Sequence, residues 1–297
     1  MQKITFTLLL ILLFLVSPVR AQVATDLWLV DISGKGGQLK LFPNTAKPLT
    51  NRPEYDNQPS FINDSELVFS AADEKGNHDI ILYSFRTSRF TNLTQTPDRS
   101  EYSPSLTECG SYFSAIVVEP DGAQRLWLYP ITGDSPELLY EDILPVGYYD
   151  WFEGKAAFFL LGDPNSLIYV RGKGKVDTLA TDIGRTVRRR PSTAEISYLD
   201  RKISLESKEG KAFEIASVDL KSGEKKSYGM ALPGSQDFIW IDKNYLLMAK
   251  GNEVFLKHIR ASDWQSLGKI ESSSHQGISR MAYSPELDKL VLVMNRK

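Results

Sequence analysis

The 297-residue chain holds a single cysteine, Cys109, and three histidines, His78, His258 and His275. One cysteine excludes an internal disulfide, and a chain of this size does not need one to bury a sizeable core. No two histidines are spaced as metal ligands on one element, and neither a His-Glu-x-x-His nor a Cys-x-x-Cys motif is present. A Gly-x-Ser-x-Gly nucleophile elbow is absent as well. Cys109 precedes Gly110 in an expected turn with no histidine nearby, so it reads as structural. Excess positive charge is also lacking: 35 Lys and Arg stand against 37 Asp and Glu. Nothing in that balance favours nucleic acid. Neither a cofactor nor a metal is expected from these motifs.

Long apolar runs are missing except at the amino terminus. There Lys3 precedes "LLLILLFLV", and Val19-Arg20-Ala21 fits a small-residue cleavage site. Residues 1–21 are therefore expected to be a signal peptide, with cleavage after Ala21. Its apolar core is too short to span a bilayer of roughly 30 Å. Removal takes Lys3 and Arg20 but no acid, so the net charge moves from −2 to −4. Residues 22–297 are expected to form one exported domain, periplasmic or secreted, with no transmembrane segment after cleavage.

What the chain does have is a repeat. Segments of the form polar, bulky, turn, apolar alternation recur from Gln58, Ser103, Tyr148, Glu195, Asp237 and Arg280. Their bulky anchors are Phe61, Leu106, Trp151, Tyr198, Trp240 and Tyr283, spaced 45, 45, 47, 42 and 43 residues apart. A second segment keeps the same beat: "DLWLVDI", "DIILYSF", "RLWLYPI", "SLIYVRG", "EIASVDL" and "EVFLKHI". Each is followed by a shorter strand-like piece such as "KPLT" or "FTNLT". Short alternating runs without a long amphipathic helix indicate strands. Four strands per period of 42–47 residues is the pattern of a propeller blade. The first second-half precedes any first-half, and the last first-half, ending "LVLVMNRK", has no second half after it. The expectation is an all-β, six-bladed propeller of four-stranded blades. Its ring is closed by amino-terminal strands that complete the carboxy-terminal blade. "GKGG" (34–37) and "GKGK" (172–175) both fall between the third and fourth strands of a blade and read as hairpin turns.

The run "LTNRPEYDNQPSFINDSELVFSAADEKGNHDIILYSFRTSRFTNLT" resembles TolB-type, WD40-like repeats. The resemblance is strong over residues 47 to 133 and weaker from 145 onwards. It implies the propeller fold and a bacterial cell-envelope setting. It does not imply an activity, because function resides in sites placed on a fold.

Two groups of residues are candidates for a site. The polar positions Gln58, Ser103, Tyr148, Glu195, Asp237 and Arg280 should ring one mouth of the central channel. The stretch "TDIGRTVRRRPSTA" reads as a basic loop carrying Arg185, Arg188, Arg189 and Arg190, with Glu54, Asp56 and Glu101 on neighbouring blades to balance it. Arginine forks suit carboxylates, and Tyr55, Tyr102, Tyr148 and Tyr149 add interface-type aromatics. The expected function is a monomeric, non-catalytic propeller that binds a protein or peptide. An acidic carbohydrate is the second ligand class. The alternative is a carbohydrate lyase or lactonase in which Glu195 and Asp237 share a metal.

Overall fold

The computed structural model describes residues 23–132, 135–172 and 174–297. The expected signal peptide and its cleavage point lie outside the described residues. Six four-stranded antiparallel sheets form a ring, a six-bladed propeller. Five blades run in chain order from the inside out, over residues 56–92, 100–138, 146–181, 183–230 and 238–269. The sixth joins the two ends of the chain. His275–Ser284 is its inner strand and Lys289–Arg296 its second; Thr25–Ser33 and Lys40–Pro48 complete it. The closing register runs from Thr25 opposite Asn295 to Asp31 opposite Lys289 without a slip. This is the arrangement that the unpartnered "TDLWLVDI" required.

The second strand of five blades is covered on both faces, and its sequence shows why. "LVFSAA", "FSAIVV", "AAFFL", "LLMA" and "LVLVM" are continuous apolar runs, as expected where a sheet is sandwiched between neighbours. Alternate residues serve alternate interfaces. Leu67, Phe69 and Ala71 meet Leu27, Leu29, Val291 and Val293 of the closing blade, whereas Val68 meets Phe113, Ala115 and Val117 of the next. The core is thus a set of layers between blades.

A recurring polar device explains the Leu-Thr motif. Asp26 opens a third strand and accepts from the Thr50 hydroxyl at 3.2 Å, while Thr50 Oγ1 accepts from the Leu27 N–H at 3.0 Å. Asp79 repeats it with Thr94, which donates at 3.0 Å and accepts from Ile80 N–H at 3.0 Å. In the next blade Arg125 holds that place and pairs instead with Glu119. The aromatic anchors have a device of their own. Trp151 Nε1 donates to Ser114 Oγ of the preceding blade at 3.1 Å, and Trp240 Nε1 to Ser197 Oγ at 2.8 Å.

Blade four departs from the expected register. Its inner strand is Ile183–Arg189, so the stretch expected to be a basic loop is largely strand. Tyr198 lies in the second strand, Glu195–Leu205, with 1% of its surface exposed between blades three and four. The residue aligned with Gln58 and Ser103 is therefore Arg185, and the anchor position holds Arg188. Only Asp182 separates this blade from the previous one, and its second and third strands overrun the sheet. The short entrance and the long hairpin compensate, which kept Tyr198 on an apparently regular beat.

Ring closure concentrates on Asp26, which is fully buried. Besides Thr50, it accepts from the Arg52 N–H at 3.1 Å and from His275 Nε2 at 2.7 Å, and Arg296 Nε lies 2.6 Å away. Removing one member of such a buried cluster leaves the others uncompensated. Asp26→Ala should lower unfolding stability by about 3 kcal/mol or more, seen as a reduced urea midpoint. An unchanged midpoint would remove this cluster from the account of closure.

Candidate binding cup in the channel

The inner strands of five blades carry a bulge or register shift at or beside the ring positions. A bulge re-aims side chains and bends the strand, and here it turns polar groups into the lumen. Gln58 and Ser103 adopt left-handed backbone conformations at equivalent positions, with φ of 56° and 51°. Such conformations are uncommon for residues with a Cβ, and they persist only where the surroundings fix them. Gln58 Oε1 accepts the Ser103 N–H at 2.8 Å, and Asn57 Oδ1 accepts the Gln58 N–H at 2.7 Å.

Across the lumen, Arg280 of blade six donates to the Tyr148 hydroxyl of blade three at 2.7 Å, and its guanidinium lies 4.9 Å from that ring's centre. These blades face each other, so the pair bridges the channel. Burial works against the Arg280 charge, yet Asp237 and the neighbouring phenols outweigh it and its pKa is raised. Asp237 itself forms an ion pair with Arg185 and accepts from the Thr186 hydroxyl at 3.2 Å. Burial pushes the Tyr55 phenol up to about 12.

These contacts make a waist. On one side lies a cup of about 270 Å³, lined by all six blades from the ring positions onward through Phe61, Arg188, Trp240 and Tyr283. On the other side two cavities, of about 340 and 350 Å³, are lined by residues at and before the ring positions. Gln58, Ser103, Tyr148, Asp237 and Arg280 therefore converge as expected, but at the waist of the channel and not at its mouth. Glu195 does not join them. It is buried in the second strand of blade four, where it accepts from Lys226 Nζ at 2.9 Å, from Arg190 Nη1 at 3.0 Å and from the Tyr228 hydroxyl. Arg185 takes its place in the ring.

The four arginines separate by role. Arg185 is held by Asp237 at the waist. Arg189 pairs with Glu108 of blade two and lies over the Phe152 ring of blade three, so it ties three blades together. Arg190 is mostly buried between blades four and five, bonded to Glu195 and Tyr228 and stacked over Trp240. Arg188 alone points into the cup with no side-chain hydrogen bond or ion pair to the described residues. The expected counter-charges are elsewhere: Glu54 and Asp56 face Arg52, and Glu101 bonds Thr96 and Tyr129. Of the tyrosines, Tyr149 is core, its hydroxyl shared between Ser114 Oγ at 2.8 Å and the Ser103 carbonyl at 3.0 Å. The cup lining holds four arginines against one acid, Asp237.

The solved structures similar to this chain are propellers too. A putative TolB from Agrobacterium tumefaciens superposes with a TM-score of 0.67, over 93% of this chain and 100% of that one, at 12% identity. The chain is a TolB-like six-bladed propeller in fold. A structure of the nidogen/laminin complex matches with a TM-score of 0.60 at 14% identity, covering 84% of this chain and 94% of that chain. Oligogalacturonate lyase in complex with manganese matches at 0.53 and 11% identity, over 93% and 98%. No family model and no curated protein matches the chain. At such identities the likeness establishes the TolB-like propeller architecture, and the same architecture carries both binding proteins and a lyase. Glu195 and Asp237, the acids expected to share a metal, are each committed to a different set of cations. Among the described residues no three His, Cys, Asp or Glu side chains converge as ligands.

The Glu195 cluster has a measurable pH signature. Burial opposes its charge, but hydrogen bonds from Tyr228, Lys226 and Arg190 prevail and hold the carboxyl at about 2, below its usual 4.5. A depressed folded-state pKa gives stability that is present above the unfolded value and is lost as pH falls towards the folded one. The stability gap between the native chain and Glu195→Gln should be widest above pH 4.5 and narrow towards pH 2. Urea midpoints measured across that range decide it, and a gap independent of pH would contradict the assignment.

Proposed function

We propose that the chain is an exported, non-catalytic propeller of the bacterial cell envelope, and that it captures a protein or peptide partner in the cup of its channel. The observation that carries this reading is Arg188. An arginine with no hydrogen-bonded or ion-paired side chain among the described residues, its charge offset only through space by the buried Asp150, stands in a cavity lined by Phe61, Trp240 and Tyr283, all half-buried, with Arg185 and Arg189 beside it. Aromatic walls around a guanidinium are the composition of an interface hot spot. The bridge between Arg280 and Tyr148 gives the cup a floor, which suits the end or a turn of a chain rather than a strand threaded through. The polar, cationic lining favours a ligand segment bearing carboxylates. An acidic carbohydrate presents the same groups and is the second ligand class the cup accepts. The exported setting rests on the leader expected from the sequence of residues 1–21 and on the TolB-like architecture.

The test is capture of envelope proteins by the immobilised mature chain, with Arg188→Ala as the comparison. Loss of one charge-assisted contact should weaken capture about tenfold to a hundredfold, measured at a temperature where both chains are folded, since Arg188 also offsets the buried Asp150 charge. Arg190→Ala is unsuitable as a probe, since it strips Glu195 of a buried partner and should lower stability instead. Undiminished capture by Arg188→Ala would withdraw the cup from the reading. A melting-temperature rise with a divalent metal, or with an acidic oligosaccharide only when metal is present, would instead support a metal-dependent lyase or lactonase.

A further inference from the structure

The contact between blades one and two closes around a histidine. His78 opens the third strand of blade one, opposite Ala72, and its N–H donates to Ser100 Oγ of blade two at 3.1 Å. Only 3% of its surface is exposed. The imidazole lies edge-on to the Tyr55 ring, with centroids 5.3 Å apart, and 4.5 Å from the Tyr102 ring of blade two. Tyr55 precedes the inner strand of blade one, and its carbonyl accepts the Ala72 N–H at 2.8 Å. The two phenols line one of the chambers beyond the waist, beside Gln58 and Tyr148. His78 thus packs behind two side chains of that chamber.

The ring has one polar partner where it needs two. Nδ1 shares a hydrogen bond of 2.9 Å with the Tyr102 hydroxyl, and the buried Nε2 has none among the described residues. Either neutral tautomer leaves Nε2 unmatched, as a bare acceptor or a bare donor. The imidazolium is worse placed, because both nitrogens must then donate and a buried charge needs a counter-ion. Burial opposes that charge most strongly, and the His78 pKa falls below its ordinary 6.5. The Gly76 carbonyl, outside hydrogen-bonding geometry, and the acids Asp73 and Asp79 of the same blade work the other way. Those acids are engaged elsewhere: Asp73 accepts from the Lys75 and Asn77 N–H groups, and Asp79 from Asn92 and Thr94. Arg52, from the connection leading into blade one, adds to the effect of burial. Blade two offers the ring only the Tyr102 phenol, since Glu101 faces Thr96 and Tyr129.

We propose that His78 is a pH-sensitive latch on this mouth of the channel: the neutral ring holds blades one and two together there, and protonation drives it out and loosens Tyr55 and Tyr102. An exposed imidazole takes up a proton near pH 6.5 and the enclosed one only at lower pH. Closure is therefore complete above pH 6.5 and weakens as pH falls below it. Opening exposes an ordinary histidine, so its equilibrium constant should grow about tenfold for the first pH unit below that value. Residues 73–76 of the adjoining hairpin are exposed, and the ring can leave with the hairpin tip while the strands of blade one stay paired. The latch lies across the waist from the cup and is independent of what the cup binds.

Amide hydrogen exchange of the mature chain at about pH 7.5 and about pH 5.5, corrected for the intrinsic rate at each, tests it. The Ala72 and His78 amides are bonded across this contact, and their protection should fall about tenfold at the lower pH. The inner strand of blade four, Ile183–Arg189, should keep its own protection. His78→Phe keeps a ring in place but cannot take up a proton. Its ratio of protection between the two pH values should be about one, whatever the variant does to stability at both. In the native chain the His78 ring should titrate below 6.5 by NMR. A ring that titrates at 6.5 or above overturns the proposal. So does protection independent of pH, an equal loss in blade four, or an unchanged pH ratio in His78→Phe.

Discussion

The pairing of Thr25–Ser33 with Lys289–Arg296 is the constraint on which the molecule depends. A propeller has no central core of its own. Each blade is stabilised by the apolar layers it shares with two neighbours, so an unclosed ring would expose the faces of its terminal blades. Here the seam is sealed twice. Leu27, Leu29, Val291 and Val293 continue the apolar layer into blade one, and the buried Asp26 gathers Thr50, His275 and Arg296 from both ends of the chain. The same Asp–Thr device closes blade one locally through Asp79 and Thr94. A feature of a single repeat has thus been extended, with a histidine and an arginine, to hold the whole ring.

Closure brings six inner strands together, and their bulges decide what the channel contains. Most ring positions supply a group that is satisfied by a neighbour, Gln58 by the Ser103 backbone, Arg185 by Asp237 and Arg280 by Tyr148, whereas the buried Ser103 hydroxyl has no partner among the described residues. The waist is consequently a structural feature, largely paired within itself. The cup beyond it is where the pairing ends, because Arg188 occupies the position that holds Phe61, Trp151, Trp240 or Tyr283 in other blades. Replacing an aromatic anchor by a guanidinium leaves charge where other blades leave apolar surface. Blade four supplies both singular features of this propeller, the arginine at an anchor position and the long hairpin of its second and third strands.

The regular parts of the fold were legible because their causes are local and repeated. Alternation, apolar second strands, Leu-Thr motifs and a beat near 45 residues specify blades, and the mismatch of half-repeats at the two ends specifies how they join. Blade four was misread for a physical reason. Tyr198 is aromatic and on the beat, but the period was preserved by a short connection and a long hairpin that cancel, which a count of residues does not detect. Five of six ring residues were legible as polar residues before a bulky one. Glu195 satisfied that pattern too, and only the strand assignment moved it from lumen to core.

The amino-acid order by itself determined the number of blades, their strands and the closing partner, since each follows from the period of hydrophobicity along the chain. Charge pairing was decided only in three dimensions. Arg188, Arg189 and Arg190 are consecutive and chemically identical, yet one faces the cup, one ties together three blades and one lies buried between blades. Side chains along a strand alternate in direction, a bulge shifts that alternation, and the guanidinium groups of Arg189 and Arg190 take partners that other blades bring to them, in one case from 81 residues away.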